Sequence, residues 1–489
     1  NEIGIACAGT EVGVFSSTGL SSGFGDGSAA SPSIFFVSDT NTGLARPASD
    51  ELIITTGGVE RASFGSSEIV FNDASNDLDF RVEGNGDANL LHVDAGNDRV
   101  GISTASPSAL LDVDGGDALI HGVSVGRGLG SVATNTVVGN NALDANTTGA
   151  NNTAIGDEAL TANTSGNQNV AVGRGALGAN TTGGGNTAVG DNALDVNTTA
   201  ANNTAIGISA LGANTTGTQN TAVGGYVLQA STTASSNTAV GYTALVANTT
   251  GTNNAAFGHI ALDSNTTGNR LTGLGAQSLE GNTTANDNTG VGYQALKVNT
   301  TGTDNTAVGS LALKDATTAS YNTAVGKSAL AVNTTGTQNV AVGANALDAN
   351  TTASNNVGIG VSALGATTTG QRNVAVGTTA LGANTTANDN VAVGKDALLS
   401  NTTGFENVAV GSFALDANTT GDEHVAIGYK ALSANTTANG NTAVGHHSLR
   451  DCTTGDLNVA VGTNALTSNT VGDRNVAFGY NALTSFNPA

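Results

Sequence analysis

A strict 17-residue period constrains this chain more than any other feature. Glycines at 139, 156, 173, 190 and 207 continue in steps of 17 to Gly462 and Gly479, which makes 20 steps and 21 copies without insertion or deletion. The unit reads N-[TV]-A-V-G-x-x-A-L-x-x-N-T-T-[GA]-x-x and occupies 355 of the 489 residues, from Asn135 almost to Ala489. Helical repeats need about 33 residues for two helices and a turn, so this period excludes them. Asn, Thr, Gly and Val are also poor helix formers. Two short strands joined by two turns do fit. Each copy is therefore expected to form one coil of a parallel β-solenoid (β-roll), stacked ~4.8 Å on the next, so that 20 steps span ~95 Å.

The columns of the unit assign its faces. Position 4 is apolar in all 21 copies, from Val138 and Ile155 to Phe478, and position 9 is leucine in all 21. Both are expected to point inward, and position 2 should share that face, because side chains alternate along a strand. Position 3 would then point outward, yet it is nearly always alanine. So small an outward residue implies a second backbone close by. Ala154, Ala171, Ala188 and Ala205 are accordingly expected at a subunit interface around a three-fold axis, in a homotrimer. Position 12 is asparagine in 16 of 21 copies, and stacked asparagine side chains can hydrogen-bond along a solenoid. Glycine at position 5 and glycine or alanine at position 15 mark the tight bends.

Charge and composition exclude several roles. Lys+Arg 15 against Asp+Glu 38 gives a net charge of −23, which argues against a nucleic-acid partner. No apolar run approaches ~18 residues, so no membrane-spanning helix is expected. No Ser or Cys stands in a nucleophile-elbow context, and the histidines are scattered apart from His446-His447, read as a solvated turn pair. No catalytic residue is assigned, and the chain is not expected to be an enzyme. Acidic residues gather at Asp73, Asp77, Asp79, Glu83, Asp87, Asp94 and Asp98, but their spacing fits no calcium motif. No cofactor or metal ligand is therefore assigned; a Ca²⁺ ion would have no motif behind it. Cys452 replaces one ladder asparagine far along the array from Cys7, so a buried free thiol is expected there.

Residues before the array differ. Seven of the 12 Phe lie before residue 81. Glu51 to Thr56 and Val59 to Phe64 flank Gly57-Gly58, a hairpin signal. The chain divides into a Gly/Ser-rich segment (1–30), a β-rich fibre or stalk region (31–134) and the solenoid (135–489), with the change of packing near residues 114–134.

The string Asn186-Thr187-Ala188-Val189-Gly190 resembles the head repeat of trimeric autotransporter adhesins, which carry a similar core in a left-handed parallel β-roll trimer. The unit here is longer by an A-L-x-x-N-T-T segment, and such units resemble tail-fibre proteins of bacteriophages. Ser31-Pro32-Ser33-Ile34-Phe35-Phe36, Gly57-Gly58-Val59-Glu60-Arg61 and Arg99-Val100-Gly101-Ile102-Ser103-Thr104 resemble fibre and stalk segments of the same proteins. The resemblance implies a structural fibre protein, a virion tail fibre attaching to a host envelope; the alternative is a bacterial cell-surface adhesin or an extracellular filament subunit. Partners would be two further copies of the chain, other fibre or filament subunits, and a host surface polysaccharide or envelope protein. Tyr242, Tyr293, Tyr429 and Tyr480 each follow the position-5 glycine, at separations of whole coils, and are the candidate glycan contacts.

Overall fold

The computed structural model describes the chain except residues 1–2, 8–9, 17–18, 21–25, 37, 72–76, 115, 131 and 487–489, with backbone alone for residues 3–20. It is all-β. The chain forms two compact units, residues 1–118 and 119–489.

In the first unit, β1 (Ile3–Cys7), β2 (Thr10–Ser16) and β3 (Gly19–Leu20) form a small antiparallel sheet. A five-stranded antiparallel sheet follows: β4 (Ile34–Phe36), β5 (Asp39–Ala45), β6 (Leu52–Thr56), β7 (Val59–Phe64) and β8 (Ile69–Phe71), in chain order. The hairpin expected at Gly57-Gly58 forms, with both glycines left-handed at φ 60° and 76°, as the favoured two-residue turn requires. One face of this sheet buries Ala45, Ile53 and Ser63. The other leaves Ile34, Phe36, Leu52, Ile54, Ile69 and Phe71 exposed. A four-stranded sheet, β9 (Phe80–Val82), β10 (Leu91–Asp94), β11 (Arg99–Ile102) and β12 (Leu111–Val113), completes the unit.

The second unit is a parallel β-solenoid. It opens with β13 (Ala118–Ile120) and β14 (Val123–Gly126); β14 pairs antiparallel with β15 (Thr136–Gly139), the strand of the first copy. This hairpin covers the open edge of the first coil, as terminal caps do in repeat arrays. The two compact units divide at 118/119, so residues 119–134 cluster with the solenoid. From β15 to β35 (Val476–Phe478), 21 strands run parallel and in register, one per copy, with Ala154 opposite Ala171 and Ala171 opposite Ala188.

Two expectations about the coil are corrected. Each coil holds one strand, at positions 2–4, and not two. The segment around the position-9 leucine is a chain of turns in which positions 7, 9 and 17 are left-handed, for example Glu158 (φ 58°), Leu160 (φ 52°) and Gln168 (φ 59°). Such residues cost about 1 kcal/mol each. They turn the peptide groups along the solenoid axis, where Leu160 N–H donates to Ala176 O of the next coil at 3.0 Å, and Glu158 N–H to Asn140 O of the previous one at 2.9 Å. Glycine at position 5 is obligatory: Gly156 sits at φ 130°, and a Cβ there would lie 2.6 Å from Gly173 O.

The parity of the strand is also reversed. Ala154, Ala171, Ala188 and Ala205 are fully buried inside their own chain, so these side chains cannot meet another subunit. Positions 2 and 4 are the outward pair; Ile155 and Ile206 at position 4 are 38% and 40% exposed. The cause of the small residue is internal. The position-9 leucine spans the narrow coil and rests on position 3 of the following one: a Cβ on Gly273 would lie 3.2 Å from Leu262 Cδ1. The core is thus built from positions 3, 8 and 9, as in Ala188, Ala193 and Leu194, repeated along the array.

Two asparagine ladders flank this core. The position-12 ladder is the expected one: Asn163 Nδ2 donates to Asn146 Oδ1 below at 3.1 Å and to Gly166 O in its own coil at 3.1 Å. Position 1 forms a second, in which Asn152 Oδ1 accepts the Asn169 N–H at 3.0 Å while its Nδ2 donates to Gly166 O at 2.9 Å. Both amides converge on the position-15 carbonyl. Interruptions leave a trace. Where position 12 becomes Ser231, Ala316, Thr367 or Cys452, the asparagine one coil earlier (Asn214, Asn299, Asn350, Asn435) has a buried Oδ1 without a partner.

Candidate functional site

The four candidate tyrosines share one position at the bend after the strand, so they lie in one column of the solenoid edge. Tyr242, Tyr293, Tyr429 and Tyr480 are 54%, 52%, 42% and 75% exposed. Their surroundings divide them. Tyr242 meets Tyr226 edge-on at 6.0 Å and stacks with His259 at 6.0 Å. Tyr429 meets Phe413 edge-on at 6.0 Å and stacks with His446 at 5.4 Å. The two groups repeat one arrangement: an aromatic ring at position 7, tyrosine at position 6 one coil on, histidine at position 6 one coil further. Tyr293 and Tyr480 have no aromatic partner among the described residues. The sequence pointed to four equivalent tyrosines; the missed signal was the ring at position 7 and the histidine that follows.

Around Tyr429 the edge is also cationic. Lys430 lies over the Phe413 and Tyr429 rings at 5.8 and 5.7 Å, and Lys395 over Phe413 at 5.5 Å. Such contacts favour a cation over a ring face. On the adjoining face, Gly365 and Gly382 at position 10 leave an open trough of about 550 Å³ lined by Asp348, Ser362, Thr379, Leu399 and Ser400. Burial raises the pKa of the Asp348 carboxyl, as it does for Asp195, Asp263 and Asp416 in the same column. These features offer ring surfaces, hydroxyls and carboxylates for a polar ligand, and the Thr379 hydroxyl donates to the Asp396 carboxylate.

Within the acidic cluster of the first unit, Asp79, Glu83, Asp87 and Asp94 bond neighbouring groups. Asp79 holds His92 at 2.9 Å and accepts the Ala95 N–H, and the His92 hydrogen bond, with that N–H, lowers its pKa. Asp87 accepts the Asn89 N–H, Asp94 holds Asn97, and Glu83 pairs with Arg81. Asp73 lies outside the described residues. Among the described residues no three His, Cys, Asp or Glu converge as metal ligands, and no helix is long and apolar enough to cross a membrane.

Cys452 is a fully buried free thiol that donates to Gly455 O at 3.4 Å; burial pushes its pKa to about 11. The Asn-Thr-Thr strings match a glycosylation acceptor pattern, but their asparagine is the position-12 ladder residue, fully buried at Asn146, Asn180 and Asn197. A folded coil has no room for a glycan there. No protein-family model matches the chain, and no curated protein matches it at a significant level.

Proposed function

We propose that the chain is a structural fibre protein, a trimeric shaft of a virion tail fibre that presents repeated surface to a host envelope. The observation that carries this reading is the outward strip of the parallel sheet. Position 4 is Val, Ile, Leu or Phe in all 21 coils, and Ile155, Ile206, Phe257, Leu274, Ile359 and Ile427 are each 38–46% exposed. The strip is one continuous apolar surface along the array, of the kind that marks a protein–protein interaction site. Identical chains in register would cover one another's strips along their whole length. The three-fold interface thus falls on Ile155, Val172, Val189 and Ile206, next to the alanines first assigned to it. The tyrosine column lies apart from the strip at the bend, where it remains free to meet a saccharide, each contact weak and multiplied by repetition.

Sedimentation tests the assembly. The unmodified chain should run as a trimer, and replacing Ile155, Val172, Val189 and Ile206 by Asp should dissociate it while each chain keeps its β-sheet signal. A stable monomer overturns the reading. Labelled antibody seen on the tail of a virion supports the fibre role; label on a cell surface assigns the chain to an adhesin or filament instead. Replacing the four tyrosines by Ser should weaken binding to host envelope polysaccharide and leave the trimer intact.

A further inference from the structure

Three of the four histidines of the array occupy two consecutive coils: His424, His446 and His447. His424 stands in the position-1 ladder, where 19 of 21 coils have asparagine and Leu271 is the other exception. It is fully buried. Its ring reproduces the asparagine hydrogen bonds atom for atom. In the coil before, Asn407 Oδ1 accepts the His424 N–H at 3.0 Å and Asn407 Nδ2 donates to Gly421 O at 2.9 Å. In its own coil, His424 Nδ1 accepts the Asn441 N–H at 3.1 Å and Nε2–H donates to Ala438 O at 2.5 Å. The fit is tight: Asn435 Nδ2 lies 3.1 Å from His424 Nε2 and 3.5 Å from Ala438 O, against 2.9 Å between Asn418 Nδ2 and Gly421 O.

An asparagine amide has no titratable proton, but imidazole does. A second proton on His424 must go to Nδ1, which faces the Asn441 N–H, a donor. The ladder bond between coils is then lost, and the new Nδ1–H of a buried cation faces a donor in place of an acceptor. We propose that His424 makes its coil and the junction with the next an acid-sensitive joint, at which mild acidification loosens the last four copies while the coils before them stay folded.

Nearest-neighbour stacking confines the effect, because each coil contacts only those beside it. The charged groups facing His424 are Asp422 and Asp456, whose carboxylates already accept the Phe405 and Asn439 N–H groups. They favour the proton, but burial dominates and lowers the His424 pKa. The sign follows. Below the ordinary histidine value of ~6.5 the unfolded chain takes up a proton that the folded joint resists, so stability falls as pH falls. The outer pair acts in the same direction. His446 and His447 rings lie 3.9 Å apart, and burial, His446, Arg450 and Lys430 lower the His447 pKa against the pull of Asp451.

Hydrogen exchange read by mass spectrometry at pH 7.5 and 5.0, corrected for intrinsic rates, tests the joint on the full chain. Peptides within 424–460 should open about tenfold faster at pH 5.0. Peptides within 135–400 should not change. His424→Asn restores the ladder residue and should abolish the acceleration. Equal protection at both pH values overturns the proposal. So does an acceleration that survives His424→Asn, or one that disappears in a His446→Ser/His447→Ser variant with His424 in place.

Discussion

The antiparallel sheet of β4 to β8 and the solenoid use the same strand geometry and reach stability differently. The sheet packs one face over Ala45, Ile53 and Ser63 and leaves large side chains such as Phe36 and Ile69, 66% and 60% exposed, on the other. The solenoid coil closes on itself, so its strand has an inner face even in a single chain. That interior is thin: two alanines, one leucine and two asparagines in a typical coil, such as Asn186, Ala188, Ala193, Leu194 and Asn197. Its polar groups find partners in their own and the adjoining coils and not in solvent, apart from the asparagine oxygens left unpaired beside the ladder interruptions. A sheet tolerates irregular side chains because each face is packed separately. A closed coil admits only residues that fit both its width and its vertical ladder.

That contrast can be broken most severely by charge. Leu296→Asp places an unpaired carboxylate in the solenoid core and should cost about 3–5 kcal/mol, whereas Ile69→Asp on the exposed sheet face should stay within ~1 kcal/mol. Urea unfolding of the two variants measures the difference. A subtler pair separates the two faces of one strand. Below the concentration at which chains associate, Ala188→Leu overfills the coil and should cost about 1–3 kcal/mol, while its neighbour Val189→Leu, which points out of the coil, should change stability by about 0.5 kcal/mol or less. Equal effects would mean that the strand parity is wrong. Repairing a ladder should give a gain. Ala316→Asn supplies the donor that Asn299 Oδ1 lacks and should stabilise by about 1 kcal/mol, read as a higher melting temperature. Finally, with its pKa at about 11 and no exposure, Cys452 should ignore a thiol reagent at pH 8 and react fully once the chain is unfolded.

Much of this was legible in the residues. The undisturbed period fixes the number of coils and their register, since one inserted residue would throw every column out of line. The position-9 leucine could be placed inward because it never varies, and the position-12 asparagine because only a stacking role suits so constant an amide. The position-1 ladder was equally visible, with asparagine in 19 of 21 copies. Its signal was hidden because asparagine beside a strand reads as an ordinary turn residue.

Sequence alone therefore determined the repeat, the parallel solenoid and the change of packing before it. Tertiary structure alone decided which side of each strand is inside. In Thr187-Ala188-Val189 every residue is small or apolar, so alternation fits either parity, and a three-residue strand is too short to break the tie. The width of the coil breaks it. A leucine reaching across from the turn segment fills the interior and leaves space opposite for a methyl group and nothing larger, so Ala188 faces inward and Val189 outward. The same closure brings residues one coil apart into contact, such as Tyr429 with His446, or His424 with the backbone of Asn441. No pattern within a single 17-residue unit contains those pairs, because they exist only when one coil rests on the next.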